Sequence, residues 1–278
     1  MARKKKRKQR VGMTVWLVLF ALLLVLLLFL LFGELKERGL LFGGKERTDT
    51  APLNDRSASD FSRVGDRIAY PGALTGIDVS EHQGQIDWNA VRQDGIDFAV
   101  IRMGFRGSTV GKITVDGQFY ANLNGAKAAG IGVGVYFYSQ ANCEAEAIEE
   151  AEYVLAAVSG YTLDYPIFYD WEEGTPRSER LEGVTMSDVA SFAEAFCKTV
   201  EAGGYRAGIY FNQKYGYGMN LNALRQYSFW LAQFSDAMTF RYDTELWQYT
   251  YQGRVDGIET DVDLDLAFQG NDDNGEYK

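Results

Sequence analysis

The sequence predicts an α/β fold: an irregular (β/α) TIM-like barrel of eight strands with an incomplete helical ring, preceded by one transmembrane helix. Three observations carry this expectation. Past Tyr70, short apolar runs alternate with amphipathic stretches, the pattern of a mostly parallel sheet covered by helices. The apolar runs number eight, and the last three connections are too short for full helices. Near the N-terminus, Val15 to Phe32 is an 18-residue apolar run without a charge.

The chain opens with a cytoplasmic basic tail at residues 1–10, where Arg3, Lys4, Lys5, Lys6, Arg7, Lys8 and Arg10 supply seven cations. Residues 11–32 follow as the membrane anchor, long enough as a helix to cross about 30 Å of hydrocarbon. The run is longer than a cleaved leader's apolar core and ends in Leu30, Leu31 and Phe32 rather than small residues, so it is expected to be retained. Cations ahead of the helix stay cytoplasmic, which predicts a single-pass protein of the cell membrane with everything after Phe32 outside. Residues 33–70 mix seven cations with seven anions around Gly43, Gly44 and Pro52 and read as a linker or stalk. The barrel is expected over 71–270, with a short tail at 271–278.

Within the barrel the predicted strands are Thr75 to Val79, Phe98 to Met103, Gly132 to Ser139, Pro166 to Trp171, Ala207 to Phe211, Phe229 to Gln233, Glu245 to Tyr249 and Asp261 to Asp265. Helical patterns cover Trp88 to Gln93, Gln118 to Ala129, Glu144 to Val158 and Ser187 to Ala202. Closure of such a barrel sets the eighth strand beside the first, so acids from both ends of the domain become neighbours. Parallel barrels build their sites at the carboxyl ends of the strands. Asp78, Asp170, Glu172 and Asp263 meet that condition.

The formal net charge of −10 hides a division. From Pro71 onward there are 14 basic against 31 acidic residues, which leaves no basic face for nucleic acid. Two cysteines, Cys143 and Cys197, and one histidine, His82, cannot make a zinc site. The cysteines either pair, as an outside location permits, or remain free and buried. Asp261, Asp263 and Asp265 imitate the start of a calcium loop, but its sixth position is Leu266, not Gly. Gly130, Gly132 and Gly134 lack the spacing of a dinucleotide fingerprint. No metal or cofactor is expected, and the lone His82 removes mechanisms that need a triad base.

The run Pro166 to Glu173 ends in two carboxylates, Asp170 and Glu172, at i and i+2 of a strand and hence on one face. Two carboxyls held close in a partly dry pocket do not ionise independently, so one keeps its proton near neutrality. Glycosidic bond cleavage requires such a pair; a solvated strand end is the alternative. In the first strand, parity groups Gly76, Asp78 and Ser80 opposite Ile77 and Val79.

The segment from Gly76 to Trp88, written Gly-x-Asp-x-Ser-x-x-Gln-Gly-x-Ile-Asp-Trp, resembles the opening motif of the family 25 glycoside hydrolases, the muramidase type of lysozyme. Agreement continues in order through Phe98 to Arg102, Gly134 to Tyr138, the Asp170 and Glu172 pair, Ile209 with Tyr210, Trp230 to Ala232, Trp247 to Tyr249 and Val262 to Asp265, so the resemblance spans about Thr75 to Phe268. It implies hydrolysis of the β-1,4 bond between N-acetylmuramic acid and N-acetylglucosamine in peptidoglycan. It implies Glu172 as general acid, Asp170 as the group that orients or stabilises charge near the anomeric carbon, and Asp78 and Asp263 as tuning and positioning groups. Asp265 departs from the family, which often has Asn there; the expectation is that its carboxylate faces solvent.

Tyr136, Tyr138, Tyr210, Trp230 and Trp247 are candidate walls for sugar rings, with core packing the competing role for each. Arg102, at a strand end, is a candidate partner for substrate or for a carboxylate, with a structural ion pair the alternative. Assistance by the substrate's acetamido group is the expected mechanism, since the spacing of Asp170 and Glu172 alone does not choose between direct routes. Two rival functions fit the same residues: a wall-binding module that keeps the groove without cleaving, and a hydrolase of another N-acetylhexosamine polymer.

Overall fold

The computed structural model describes residues 51–174 and 177–268. The basic tail, the anchor at 11–32, the first part of the stalk and the tail at 271–278 lie outside the described residues, among which no helix is long and apolar enough to cross a membrane.

A closed eight-stranded barrel forms the body, as the sequence predicts. Its strands are β3 (Leu74–Val79), β4 (Phe98–Arg106), β6 (Gly132–Ser139), β7 (Ile167–Trp171), β8 (Ala207–Asn212), β9 (Ser228–Ala232), β10 (Leu246–Gly253) and β11 (Val262–Ala267), following a hairpin of β1 (Ser62–Val64) and β2 (Arg67–Ala69). Neighbours run in the order β3, β11, β10, β9, β8, β7, β6, β4, and β4 pairs with β3 to close the ring. A short β5 (Ile113–Val115) folds back on β4 at the rim.

The barrel departs from an all-parallel sheet at one strand. Pairings from β3 and β4 round to β9 and β10 are parallel, whereas β11 is antiparallel to both β10 and β3. The link from Gly253 to Val262 is too short for a helical crossover, so the chain turns back on itself. Reversal places the start of β11, with Asp263, at the same rim as the ends of the parallel strands.

Helices cover one arc. They are α1 (Trp88–Gln93), α2 (Phe119–Ala128), α3 (Glu144–Val158) and α4 (Met186–Ala202), with short α5 (Gln213–Gly218) and α6 (Leu221–Leu224) after β8. In α4 the apolar spacing of Val189, Phe192, Ala193, Phe196, Cys197 and Val200 buries one stripe, and Thr185 and Asp188 form a capping box at its start. Trp88 packs α1 against α2: a Cβ at Gly125 would lie 2.3 Å from the indole. Cys143 is exposed and Cys197 buried, and both are free.

The folded domain begins earlier than the expected boundary at 71. Residues 51–70, read from sequence as stalk, lie on the barrel: Ala51, Phe61 and Ile68 are buried, and Arg56 pairs with Asp243. The Phe61 ring sits 4.8 Å from Tyr70 and 5.1 Å from Trp247. Two large apolar side chains in a polar stretch suffice to dock it, although they make no periodic pattern.

Candidate active site

Strand parity divides the barrel into two cores. Outward side chains such as Ile77, Ala99, Val133, Tyr169 and Ile209 pack under the helices, and inward ones, Phe98, Val100, Phe168, Trp230, Leu246 and Ala267, fill the lumen. Trp230 is the plug. Its ring meets Tyr210 at 4.7 Å, Phe168 at 5.2 Å and Tyr136 at 5.8 Å, all edge-on. Above this plug the inward positions turn polar.

The four predicted acids converge there. Asp78 of β3 lies directly across from Asp263 of β11, and Asp170 of β7 is registered between Tyr138 of β6 and Tyr210 of β8. Glu172 follows one residue beyond β7, its backbone carbonyl held by the Gln140 side-chain amide. Asp78 and Asp170 are buried, and Glu172 and Asp263 are half-buried. One oxygen of Asp170, Oδ1, is buried without a hydrogen-bond partner.

Burial without a directly paired cation raises every one of these carboxyls. Desolvation pushes Asp170 well up, with the charge of Glu172 adding and Arg102 opposing. Asp78 is raised by desolvation, then by Asp263 and Asp265, against the Gln248 amide. Desolvation raises Glu172, and Asp263 is pushed up to about 6, chiefly by the same cause. A group of this kind can hold a proton near neutrality and deliver it.

Of the proposed sugar walls, Tyr136, Tyr138 and Tyr210 are half-buried at this mouth, whereas the two tryptophans are not available. Trp230 is 1% exposed beneath the acids, and Trp247 is 0% exposed and points outward, against Phe61, with its indole N–H donating to the Gln233 carbonyl at 2.8 Å. Parity turns Trp247 outward, since Leu246 and Gln248 take the inward positions of β10. Arg102 is engaged structurally, Nε donating to Asp116 Oδ2 at 2.7 Å and Nη2 to Glu81 Oε1 at 3.4 Å. His82 is exposed in the turn after β3.

Asp265 overturns the expectation that it faces solvent. It is fully buried beside the cluster, Oδ1 accepting from the Trp230 indole at 2.8 Å. Gln248, not singled out by sequence, donates through Nε2 to Asp78 Oδ2 at 2.7 Å and accepts from the Tyr210 hydroxyl at 3.0 Å. Its inward parity on the seventh barrel strand was the available signal.

Residues 77–258 match the model of the glycosyl hydrolases family 25. Among curated proteins, the autolytic lysozyme of Clostridium acetobutylicum is 28% identical over 200 residues, 71% of this chain and 56% of the relative. Lysozyme M1 of Streptomyces globisporus is 28% identical over 206 residues, 70% of this chain and 68% of the relative. Among solved structures, the bacterial lysozyme from Streptomyces coelicolor superposes with a TM-score of 0.60 at 26% identity, covering 69% of this chain and 90% of that one. The modular autolysin LytC from Streptococcus pneumoniae, solved in complex with a synthetic peptidoglycan ligand, shares the fold at a TM-score of 0.63 and 24% identity, covering 75% of this chain and 52% of its own. The chain thus spans little more than half the length of the clostridial and pneumococcal relatives.

Proposed function

This chain belongs to glycosyl hydrolase family 25, and from that premise we propose that it is a peptidoglycan hydrolase cleaving the β-1,4 bond between N-acetylmuramic acid and N-acetylglucosamine. The observation that carries the reading is the gathering of Asp78, Asp170, Glu172 and Asp263 at one barrel mouth with raised proton affinities. Glu172 is the general acid: it is the most accessible member of the Asp170 and Glu172 pair, and burial keeps its proton available to the leaving oxygen. Asp170, with an unpartnered buried oxygen, stabilises the positive charge that develops at the anomeric carbon and the acetamido-derived intermediate. Asp78 and Asp263 position the pair. Tyr136, Tyr138 and Tyr210 supply the apolar faces against which sugar rings lie.

The apolar run at 11–32 tethers the enzyme to the cell membrane with the barrel outside, which suits remodelling of the cell's own wall. Peptidoglycan is its macromolecular partner. Digestion of purified walls by wild type and Glu172→Gln, followed by mass spectrometry of the fragments, tests the reading. Wild type is expected to release fragments with muramic acid at the reducing end, and the variant none. Wall binding by both with no new reducing ends would instead assign a binding module, and cleavage after N-acetylglucosamine would assign a different hydrolase. Proton NMR of the first product is expected to show retention at the anomeric carbon; initial inversion would reject acetamido assistance.

A further inference from the structure

We propose that Asp265 and Asp78 share a single proton at neutral pH, and that Asp265 is thereby a positioning residue that holds Asp78 in the catalytic cluster. The second half of this proposal rests on the glycosidase reading of the mouth; the first does not.

The geometry begins at β11. Asp265 lies two residues deeper than Asp263 on the same inward face, and its cross-strand partner on β3 is Gly76. A Cβ at Gly76 would sit 2.2 Å from the Phe98 ring, so that position stays empty of side chain, and the Asp265 carboxyl reaches the Asp78 carboxyl on β3. Asp265 Oδ1 accepts from the Trp230 indole, while Oδ2 is buried with no hydrogen-bond partner. Asp78 Oδ2 accepts from Gln248 Nε2.

Every donor to the pair is neutral. Around it stand Asp263 on its own strand, Asp170 on β7, the Tyr136 and Tyr210 hydroxyls on β6 and β8, Trp230 on β9 and Gln248 on β10. The nearby cation is Arg102 on β4, whose guanidinium is committed to Asp116 and Glu81. Two adjacent carboxylates in a dry site without a cation do not both ionise. One proton resolves both deficits: carried on Asp265 Oδ2, it turns an orphaned acceptor into a donor that Asp78 accepts. Desolvation, with Asp263 adding, pushes Asp265 up to about 7. When the proton leaves, two anions repel and Asp78 is no longer held from below.

Asp265→Asn tests this, because the amide keeps an acceptor for Trp230 and offers a permanent N–H to Asp78. Two measurements on the folded protein are needed: Tm between pH 5 and 8, and the alkaline limb of kcat/KM on purified walls. Wild type is expected to lose Tm over that range and to show an alkaline limb approaching a slope of about −2, since Glu172 and the pair each lose a proton. The variant should have a flatter Tm curve, a limb of slope about −1, and kcat at pH 5 within about threefold of wild type. Asp265→Ala, which offers neither group, should lose about tenfold or more in kcat. An unchanged Tm curve overturns the shared proton; an unchanged slope, or a folded but inactive Asp265→Asn, overturns the positioning role. Should wild type cleave no wall, the glycosidase reading falls, and the Tm curve still decides whether the pair holds a proton.

Discussion

Two regions of this domain bury carboxyl groups to the same depth and treat them in opposite ways. Outside the barrel, Glu150 of α3 is fully buried, but Arg106 Nε donates to it at 2.6 Å and Nη2 to Glu149 at 2.7 Å, while Nη1 donates to the Gly111 carbonyl and Nη2 also to that of Glu146. Inside the mouth, Asp78, Asp170 and Asp265 are buried as well, yet Asp78 and Asp265 receive only neutral donors and Asp170 Oδ1 has no partner. The lesson is that burial of an acid does not mark chemistry; burial without a counter-charge does. The Arg106 network braces the loop between β4 and β5, and the uncompensated cluster stores proton affinity for a reaction.

The sharpest break of this comparison is a pair of isosteric or near-isosteric changes, one in each region. Asp170→Asn removes the charge that meets the developing cation, and kcat should fall by about 10²- to 10³-fold while Tm is unchanged or rises, because a desolvated anion is gone. Arg106→Met should do the reverse. It strands the buried Glu150 and costs about 3–5 kcal/mol in urea unfolding, while kcat of the folded fraction stays within about twofold. Equal losses of activity and stability in both variants would erase the distinction.

A smaller effect sharpens the boundary of the domain. Phe61→Ala removes a ring wedged between Tyr70 and Trp247 and should cost about 3 kcal/mol by the same unfolding measurement, although Phe61 belongs to a stretch that reads as stalk. That misreading shows what sequence hides. The eight barrel strands and the first four helices are legible because periods of 2 and 3.6 run over them, and Asp170 and Glu172 are legible because they end an apolar strand. A period has no direction, so nothing in Val262 to Ala267 says that β11 runs backward, although its reversal is what brings Asp263 opposite Asp78. Parity was sufficient to turn Trp247 outward and Asp265 inward, since Gln248 and Asp263 fix those faces; what it lacks is depth, and the plug formed by Trp230 appears only when strands from the whole domain close round it.

The smallest effect is a pH dependence, and the two regions differ in how neutralising a buried acid changes it. Asp263 and Asp265 are pushed up to about 6 and about 7 from ordinary values near 3.8, so between those limits the folded domain binds more protons than the unfolded chain and stability falls as pH rises. Below the ordinary carboxylate range the contribution is fully present; above about pH 7 the penalty is complete. Calorimetry should find wild-type Tm roughly 5 °C lower at pH 8 than at pH 5, equivalent to about 2 kcal/mol for a domain of this size. Burial also pushes Glu150 up to about 7, against the pull of Ser139 and Arg106, so both regions contribute to the slope. Neutralising them should therefore part company at pH 8: Asp265→Asn raises Tm by lifting a penalty, whereas Glu150→Gln lowers it, because Arg106 then keeps its burial and loses a charged partner. A gain at pH 8 from Glu150→Gln would show that the Arg106 pair is no better compensated than the acids of the mouth.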